Sequence, residues 1–268
     1  MTSSKSQSIT RRQFLLASAL AGAGLAASGA ERALATPALT GSWVWSPILM
    51  YHYVDYMPPY PDTIRIGLTV EPEMFEAHLD ALIAGGYTVI RMVDLWNAIS
   101  TGGPLPPRPV VLTFDDGYDS AYRFAYPALQ KRNLTGMFFI ITGQVGNFGY
   151  VTWPQLVEMQ AAGMEIGNHT VHHPDLWWLD YSQRLAEIDG AAQTLADQLG
   201  KRPQFFAYPI GHYNTYIADI VQNTGHLAAL TTHFGTLHSA AYPYWLDRVR
   251  IDNTVTAQSL PGLIDLKM

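Results

Sequence analysis

Residues 111–120 read VLTFDDGYDS, an apolar run that ends at Phe114 and is followed by two adjacent carboxylates, Asp115 and Asp116. The run predicts a short buried strand, and the glycine after the aspartates predicts a turn at its end. One interpretation of the aspartates is structural, because an aspartate can cap a helix that begins near Ser120. The other is chemical, since carboxylates at the end of a buried strand are placed as catalytic groups are in α/β folds.

Strand-like and helix-like segments alternate from Ile48 to the end of the chain. Thr152 and Gln155 have the spacing of a capping box, and apolar residues at intervals of three and four predict a helix over residues 181–199 that ends before Gly200. Regular alternation of this kind predicts an α/β fold with a parallel sheet, open or closed as a barrel. Neither an internal repeat nor a second domain is apparent.

Residues 1–35 resemble a twin-arginine export signal. Arg11 and Arg12 precede an Ala/Gly/Leu-rich run over residues 14–27, and Ala33-Leu34-Ala35 has the small-x-small pattern of a cleavage site. The run is shorter than the roughly 18–20 residues needed to span a bilayer, although an uncleaved anchor is the alternative. We therefore expect an exported, periplasmic or extracellular protein whose mature part has no membrane span.

After the signal we expect a linker over residues 36–47 and one domain over residues 48–268. The formal net charge of the whole chain is −6; removing Lys5, Arg11, Arg12 and Arg32 together with Glu31 takes away +4 − 1 = +3 and leaves −9. No basic cluster remains to hold phosphates, which argues against a nucleic-acid partner. The chain has 0 cysteines, so a bound metal would need His, Asp or Glu ligands.

A second polar cluster, EIGNHTVHHP at residues 165–174, also follows a short apolar run and contains His169, His172 and His173. Two imidazoles with one carboxylate are a ligand set suited to a divalent ion of the zinc type, with a fourth position for water or substrate. A solvated histidine-rich loop is the alternative. If one aspartate of the pair binds the metal, the other is available for a separate task.

TFDDGY at 113–118 and HTVHHP at 169–174 resemble the first two motifs of the polysaccharide deacetylases, carbohydrate esterase family 4. The resemblance covers nearly the whole mature chain and implies a distorted (β/α) barrel of about seven parallel strands. It also implies roles for individual residues: Asp115 as general base, Asp116, His169 and His173 as metal ligands, and the backbone N–H of Tyr118 as an oxyanion donor. His172 falls on a position that the family does not use for metal.

Residues 47–52, PILMYH, resemble the opening strand of a circularly permuted subgroup that includes poly-N-acetylglucosamine deacetylases, which implies that His52 is the general acid. A buried structural histidine is the alternative. The third family motif often has an arginine that holds the catalytic aspartate, but Ala207 stands in its place here. Arg248 matches an arginine of the permuted subgroup and is the expected substitute, although Arg250 has the same parity along the strand and both could be surface charges.

Adjacent Trp177 and Trp178 cannot both face the core and are candidates for stacking on sugar rings, and Tyr208 is a further candidate substrate contact. Together these features predict a Zn2+-dependent enzyme that removes acetyl groups from N-acetylglucosamine residues of a polysaccharide. An O-acetyl esterase or small-amide hydrolase is the alternative within enzymes. A glycan-binding protein without activity is the alternative outside them, disfavoured by the intact set of site residues.

Overall fold

Seven parallel strands close into a barrel around which the helices pack. The computed structural model of the chain describes residues 43–267. Within these residues the strands are β1 (Val44–Trp45), β2 (Ile48–Tyr51), β3 (Tyr53–Val54), β4 (Thr69–Val70), β5 (Thr88–Val89), β6 (Pro109–Phe114), β7 (Met137–Ile140), β8 (Glu165–Asn168), β9 (Phe205–Ala207), β10 (Ala228–Phe234), β11 (Leu237–His238) and β12 (Leu246–Arg250).

The barrel strands follow the spatial order β2, β12, β10, β9, β8, β7, β6, and β6 pairs with β2 to close the ring. Each of these pairings is parallel, and β5 is added beside the first residues of β6. The predicted single-domain distorted (β/α) barrel is therefore confirmed. Closure places the carboxyl ends of all seven strands at one mouth, which is where barrels of this kind carry their chemistry.

Along the described residues the α-helices alternate with the strands, and the last helix follows the last strand. They are α1 (Thr63–Leu68), α2 (Pro72–Ala84), α3 (Met92–Thr101), α4 (Tyr126–Lys131), α5 (Trp153–Ala161), α6 (Tyr181–Leu199), α7 (Thr215–Asn223) and α8 (Leu260–Ile264). Single 3-10 turns occur at Thr142–Gln144, Leu176–Trp178 and Pro209–Gly211. None of the helices in residues 43–267 has the length and apolar character needed to cross a membrane.

Local signals in the sequence explain several of these boundaries. At the start of α5 the Gln155 side chain accepts a hydrogen bond from the Thr152 backbone N–H at 2.7 Å, which is one half of the predicted capping box. The predicted helix over residues 181–199 is α6, and Gly200 ends it in a left-handed conformation with φ 71°. Between the barrel and its helices the core is aromatic: the rings of Phe114 and Phe138 stack at 4.6 Å, and Phe114 meets Phe75 of α2 edge-on at 5.7 Å.

The helix expected after Ser120 is not continuous. Residues Ala121–Ala125 form a π-helical turn in which the Tyr126 N–H donates to the Ala121 carbonyl, and the α-helical hydrogen bonds begin only with α4. Pro127 lacks an N–H and cannot donate to the carbonyl four residues back, so the wider turn accommodates it.

The predicted linker over residues 36–47 extends too far toward the domain. β1 pairs antiparallel with β11, and the buried Ser46 hydroxyl donates to the Pro109 carbonyl at 3.3 Å, so residues 44–47 belong to the folded domain. A strand of two residues is too short to produce a periodic signal in the sequence. The predicted export signal over residues 1–35 and the linker up to residue 42 lie outside the described residues.

Two buried histidines make the stability of the domain sensitive to acid. Burial lowers the pKa of His226 and of His238 to about 4, from an ordinary value of 6.5. Between these values the unfolded chain binds protons that the folded chain does not, so the free energy of unfolding falls as the pH drops from 6.5 toward 4. Each histidine accounts for about 3 kcal/mol of this loss.

We therefore expect urea unfolding to show a marked loss of stability between pH 7 and pH 4.5. His238 Nε2 donates to the Ser46 carbonyl at 2.9 Å, a bond that a glutamine amide can also make. His238→Gln should flatten the dependence of the unfolding free energy on pH over this interval. An unchanged slope in this variant would contradict the assignment.

Candidate metal centre

The first cluster of functional side chains forms where β6 and β8 end. Asp116 follows β6, and its Oδ1 lies 3.2 Å from His169 Nε2 and 3.5 Å from His173 Nε2. The three ligand atoms all lie within 4.8 Å of one another. Among the described residues these three side chains form the one group of His, Asp or Glu with this arrangement, and they are the three residues expected from the sequence.

The donor atoms fit a divalent cation. Asp116 Oδ1 is buried and accepts no hydrogen bond of regular geometry, despite its 3.2 Å approach to His169. His169 Nδ1 donates to the Ala207 carbonyl at 2.8 Å, which leaves the Nε2 lone pair directed at the cluster. A buried carboxylate oxygen without a donor and an imidazole held in the Nε2-coordinating tautomer are what a tetrahedral zinc-type site requires.

The charge balance of the cluster also favours a cation. Burial alone would raise the pKa of Asp116, but the neighbouring imidazoles of His169 and His52 outweigh it and hold that pKa well below its ordinary range. Burial and the proximity of His169 lower the pKa of His173. For His169, the two aspartates outweigh burial and raise the pKa, so the negative charge at this position attracts a proton and would equally attract a metal ion.

His172 lies outside the cluster, as the family pattern implies. Its side chain is 71% exposed, and its Nδ1 donates to Glu187 Oε1 at 2.7 Å. The loop thus separates two adjacent histidines, with His173 turned toward Asp116 and His172 turned toward helix α6.

Asp115 does not join this cluster and is bound instead by Arg248, which lies near the C-terminal end of the domain. The Arg248 guanidinium forms a bidentate contact with it, Nη1 to Oδ1 and Nη2 to Oδ2, both at 2.7 Å. Burial raises the pKa of Asp115, but Arg248 outweighs that effect and holds the pKa below its ordinary value. Arg248 itself is 1% exposed, whereas Arg250 lies two residues nearer the barrel mouth and is exposed. The carboxylate therefore stays ionised and fixed in orientation.

His52 follows β2, the strand that closes the barrel against β6. Its Nε2 lies 3.9 Å from Asp115 Oδ2, and its Nδ1 is buried without a hydrogen-bond partner. Burial is the main effect on its pKa, which it lowers, against the opposing charges of Asp116 and Asp115. Asp115 and His52 thus face the same space from two adjacent strands.

Of the three side chains predicted to contact substrate, the two tryptophans are exposed and Tyr208 is buried. Trp177 is 45% exposed and Trp178 80% exposed, on a turn where Arg184 Nε donates to the Leu176 carbonyl at 2.8 Å. Tyr208, in contrast, is 0% exposed and its hydroxyl donates to the Tyr244 carbonyl, so the prediction that its side chain contacts substrate is wrong. The segment containing Tyr208 is a barrel strand end packed between α6 and α7, and a large aromatic ring there fills the core.

Tyr118, the expected oxyanion donor, forms an antiparallel bridge with Tyr150. Its bridge to Tyr150 uses the N–H of Asp119, which donates to Gly149, and the N–H of Val151, which donates to Gly117. The Tyr118 N–H is not part of that bridge. The Tyr118 ring stacks on Tyr53 at 3.7 Å.

Sequence reasoning missed three groups that hold the site residues. The Ala207 carbonyl fixes the His169 tautomer, Asn168 Oδ1 accepts from the Thr170 N–H at 2.8 Å, and Glu187 binds the loop that carries His173. A backbone carbonyl has no signature in a single sequence. Glu187 could have been suspected only from its place on the inner turns of the predicted helix 181–199.

Comparisons with known proteins agree with this geometry. The family model described as polysaccharide deacetylase matches residues 102–229. The chain is 27% identical over 232 residues to the putative polysaccharide deacetylase YxkH of Bacillus subtilis, covering 84% of this chain and 80% of that protein. It is 24% identical over 165 residues to a poly-beta-1,6-N-acetyl-D-glucosamine N-deacetylase of Staphylococcus aureus, covering 56% of this chain and 57% of that protein.

Among solved structures, the Streptococcus pyogenes deacetylase PplD in complex with acetate superposes with a TM-score of 0.77. It is 30% identical in sequence, and the match covers 83% of this chain and 99% of that one. The single-domain barrel, the Asp/His/His cluster at its mouth and these matches together indicate a protein of the deacetylase class. The chain belongs to the polysaccharide deacetylase family.

The two adjacent histidines provide a test of the metal centre. His173→Ala removes one of three ligands and should weaken Zn2+ binding by more than about 100-fold, which is the upper range for losing even an indirect partner of a metal ligand. His172→Ala should change the affinity little, because its ring faces away from the cluster. Competition with a chromophoric chelator measures both, and equal losses in the two variants would contradict the geometry.

Proposed function

We propose that the protein is an exported, Zn2+-dependent hydrolase that removes acetyl groups from N-acetylglucosamine residues of a polysaccharide. The observation that carries the proposal is that the two adjacent aspartates contact different partners. Asp116 joins His169 and His173, while Asp115 is held by Arg248. A metal-ligand set and a separate ionised base, both at the barrel mouth, are the two components that metal-assisted amide hydrolysis requires.

The residues of the chain have distinct tasks in this reaction. Asp115 accepts the proton of the attacking water, whose oxygen forms the new bond to the acetyl carbon. The Tyr118 N–H donates to the oxyanion, and His52 in its protonated form donates its proton to the nitrogen as the carbon–nitrogen bond breaks, which yields acetate and a free amine. The proton that Asp115 accepts from water balances the one that His52 gives up. A divalent ion held by Asp116, His169 and His173 would supply a Lewis acid for the carbonyl and lower the pKa of water.

Two features support a glycan substrate. The staphylococcal relative is named for an N-acetyl-D-glucosamine polymer. Trp177 and Trp178 are exposed a few residues after His173, in the same loop that follows β8, and aromatic rings of this kind stack on the apolar faces of sugars. The twin-arginine-like segment at the start of the chain supports export to the outside of the cytoplasm, where such polymers are found.

Acetate release tests the proposal directly. The zinc-loaded protein should liberate acetate from N-acetylglucosamine polymers, with chitooligosaccharides, poly-N-acetylglucosamine, peptidoglycan and acetylated xylan compared side by side. Asp115→Asn should retain the metal and lose roughly 10²- to 10⁴-fold in turnover, the usual contribution of a general base. Asp116→Asn should lose metal and turnover together. Release from acetylated xylan alone would overturn the N-acetyl assignment, and equal metal loss in both variants would overturn the division of roles.

Arg248 provides a separate prediction, because its planar guanidinium holds both oxygens of Asp115. Arg248→Lys retains the charge but not the fork, and turnover should fall by about 10²-fold as the carboxylate loses its orientation. Metal content should remain normal. The exposed Arg250→Lys on the same strand is the matched control. Near-wild-type acetate release from folded, metal-loaded Arg248→Lys would exclude a positioning role.

A further inference from the structure

The loop that carries His173 has an acceptor for each of its backbone N–H groups. Residues 169–173 form this metal-ligand loop, and their N–H groups all donate at 2.8–3.1 Å. The acceptors, in chain order, are the Ile140 carbonyl, Asn168 Oδ1, Glu187 Oε2 for two successive residues, and Thr170 Oγ1. Every backbone N–H of the loop is therefore hydrogen-bonded, although the loop is neither helix nor strand.

Glu187 differs from the other side-chain acceptors because it comes from another element. Asn168 and Thr170 lie within or beside the loop, whereas Glu187 lies on α6 and reaches across to it. Its Oε2 accepts from the N–H of Val171 at 3.0 Å and of His172 at 2.8 Å, and its Oε1 accepts from His172 Nδ1 at 2.7 Å. The carboxylate is 14% exposed. One largely buried side chain thus makes three contacts with two consecutive loop residues.

The loop needs such restraint because its backbone is strained. Thr170 has φ 67° and His173 has φ 59°, both in the left-handed region. This region is unfavourable for residues other than glycine, and most of all for a β-branched residue such as threonine. Strained conformations persist only where the surroundings over-determine them. Val171 and His172, the residues bound by Glu187, lie between the two strained positions.

We propose that Glu187 is a positioning residue for the metal centre, which holds the metal-ligand loop in the strained conformation that directs His173 at Asp116. The proposal rests on the proposed function of that cluster. It is the reach of the carboxylate to the two backbone N–H groups that matters, and its charge matters less, because His173 is oriented through the backbone. His172 takes part only as the side chain that completes the contact with Glu187.

The chain offers a matched control on β8, the strand that leads into the metal-ligand loop. Glu165, at the amino end of β8, also accepts from two successive backbone N–H groups, those of Met92 at 2.6 Å and Val93 at 3.1 Å. These belong to the start of α3, which carries no ligand of the cluster. Glu165→Ala therefore removes a comparable pair of hydrogen bonds without touching the metal-ligand loop.

The experiment measures Zn2+ affinity by chelator competition alongside thermal unfolding of the metal-free protein. Glu187→Ala should weaken Zn2+ binding about 10- to 100-fold, as loss of an outer partner of a metal ligand does, whereas Glu165→Ala should lower the unfolding temperature and leave the affinity unchanged. Glu187→Gln keeps an oxygen at the reach of Oε2 and should bind Zn2+ nearly as wild type. Glu187→Asp keeps the charge but is one methylene shorter, and should behave like Glu187→Ala.

Several outcomes would overturn the proposal. Zn2+ affinity unaffected in Glu187→Ala at a lowered unfolding temperature would make Glu187 an ordinary structural residue. If Glu187→Ala does not fold, the comparison of Gln and Asp decides, and normal affinity in Asp with weak affinity in Gln would assign the effect to charge. Hydrogen exchange of residues 171 and 172 in metal-free protein gives an independent measure, expected to be slow in wild type and Gln and fast in Asp. Absence of Zn2+ binding by wild type would instead reject the proposed function. The hydrogen-exchange pattern would still test whether Glu187 holds the metal-ligand loop.

Discussion

The buried ion pair between Arg248 and Asp115 is the interaction around which the barrel mouth is arranged. Moving two charges out of water costs several kcal/mol for each ion, and this is offset only when the remaining donors and acceptors are satisfied. Here the guanidinium donates to both oxygens of Asp115, to Thr113 Oγ1 at 3.1 Å and to the Thr231 carbonyl at 2.8 Å. An apolar pair of similar volume could be as stable. What the ion pair adds is a fixed, ionised carboxylate at a defined place.

Closure of the barrel is what brings the members of this pair together. Arg248 lies on β12, the last strand of the barrel, while Asp115 follows β6 and His52 follows β2, the first. β2 pairs with β12 on one side and β6 on the other, and the Asp115 N–H donates to the Tyr51 carbonyl at 2.9 Å. The two ends of the domain therefore meet at Asp115. Because none of these contacts is local, the site forms only when the ring of strands is complete. A substitution that prevents closure of the barrel should therefore also disrupt the site.

Much of the fold and of the candidate ligand set was predictable because short-range patterns encode them. Helix α6 shows its apolar spacing and its terminal glycine, and the clusters at 113–118 and 169–174 contain the residue types that a metal site needs. The rest depends on tertiary contacts. The irregular register between β10 and β12, where Leu230 pairs with Leu246 but Phe234 with Arg248, places the Thr231 carbonyl at the guanidinium and cannot be read from sequence. For the same reason the alternation along β12 could not separate Arg248 from Arg250, and the burial of Tyr208 was not foreseen.

Backbone strain explains how adjacent residues in both motifs contact different partners. Asp116 has φ 74° and is followed by Gly117 with φ 76°, so the chain turns sharply between the two carboxylates, and His173 with φ 59° turns away from His172 in the same manner. Asp116 and His173, which are not glycines, each cost about 1–3 kcal/mol in this conformation and are retained because hydrogen bonds from several elements fix them.

The two halves of the centre differ in how deeply they are held. The side chains of Asp116 and His169 are 8% and 3% exposed, and they are fixed by strands, whereas that of His173 is 31% exposed and depends on its loop. The open side of the cluster is therefore the side of His173. Since the same loop continues into the exposed tryptophans, the most solvent-accessible ligand and the aromatic surface lie on one segment. A change in that segment would then alter both the metal binding and the substrate contact that we propose, while Asp115, held by Arg248, would remain in place.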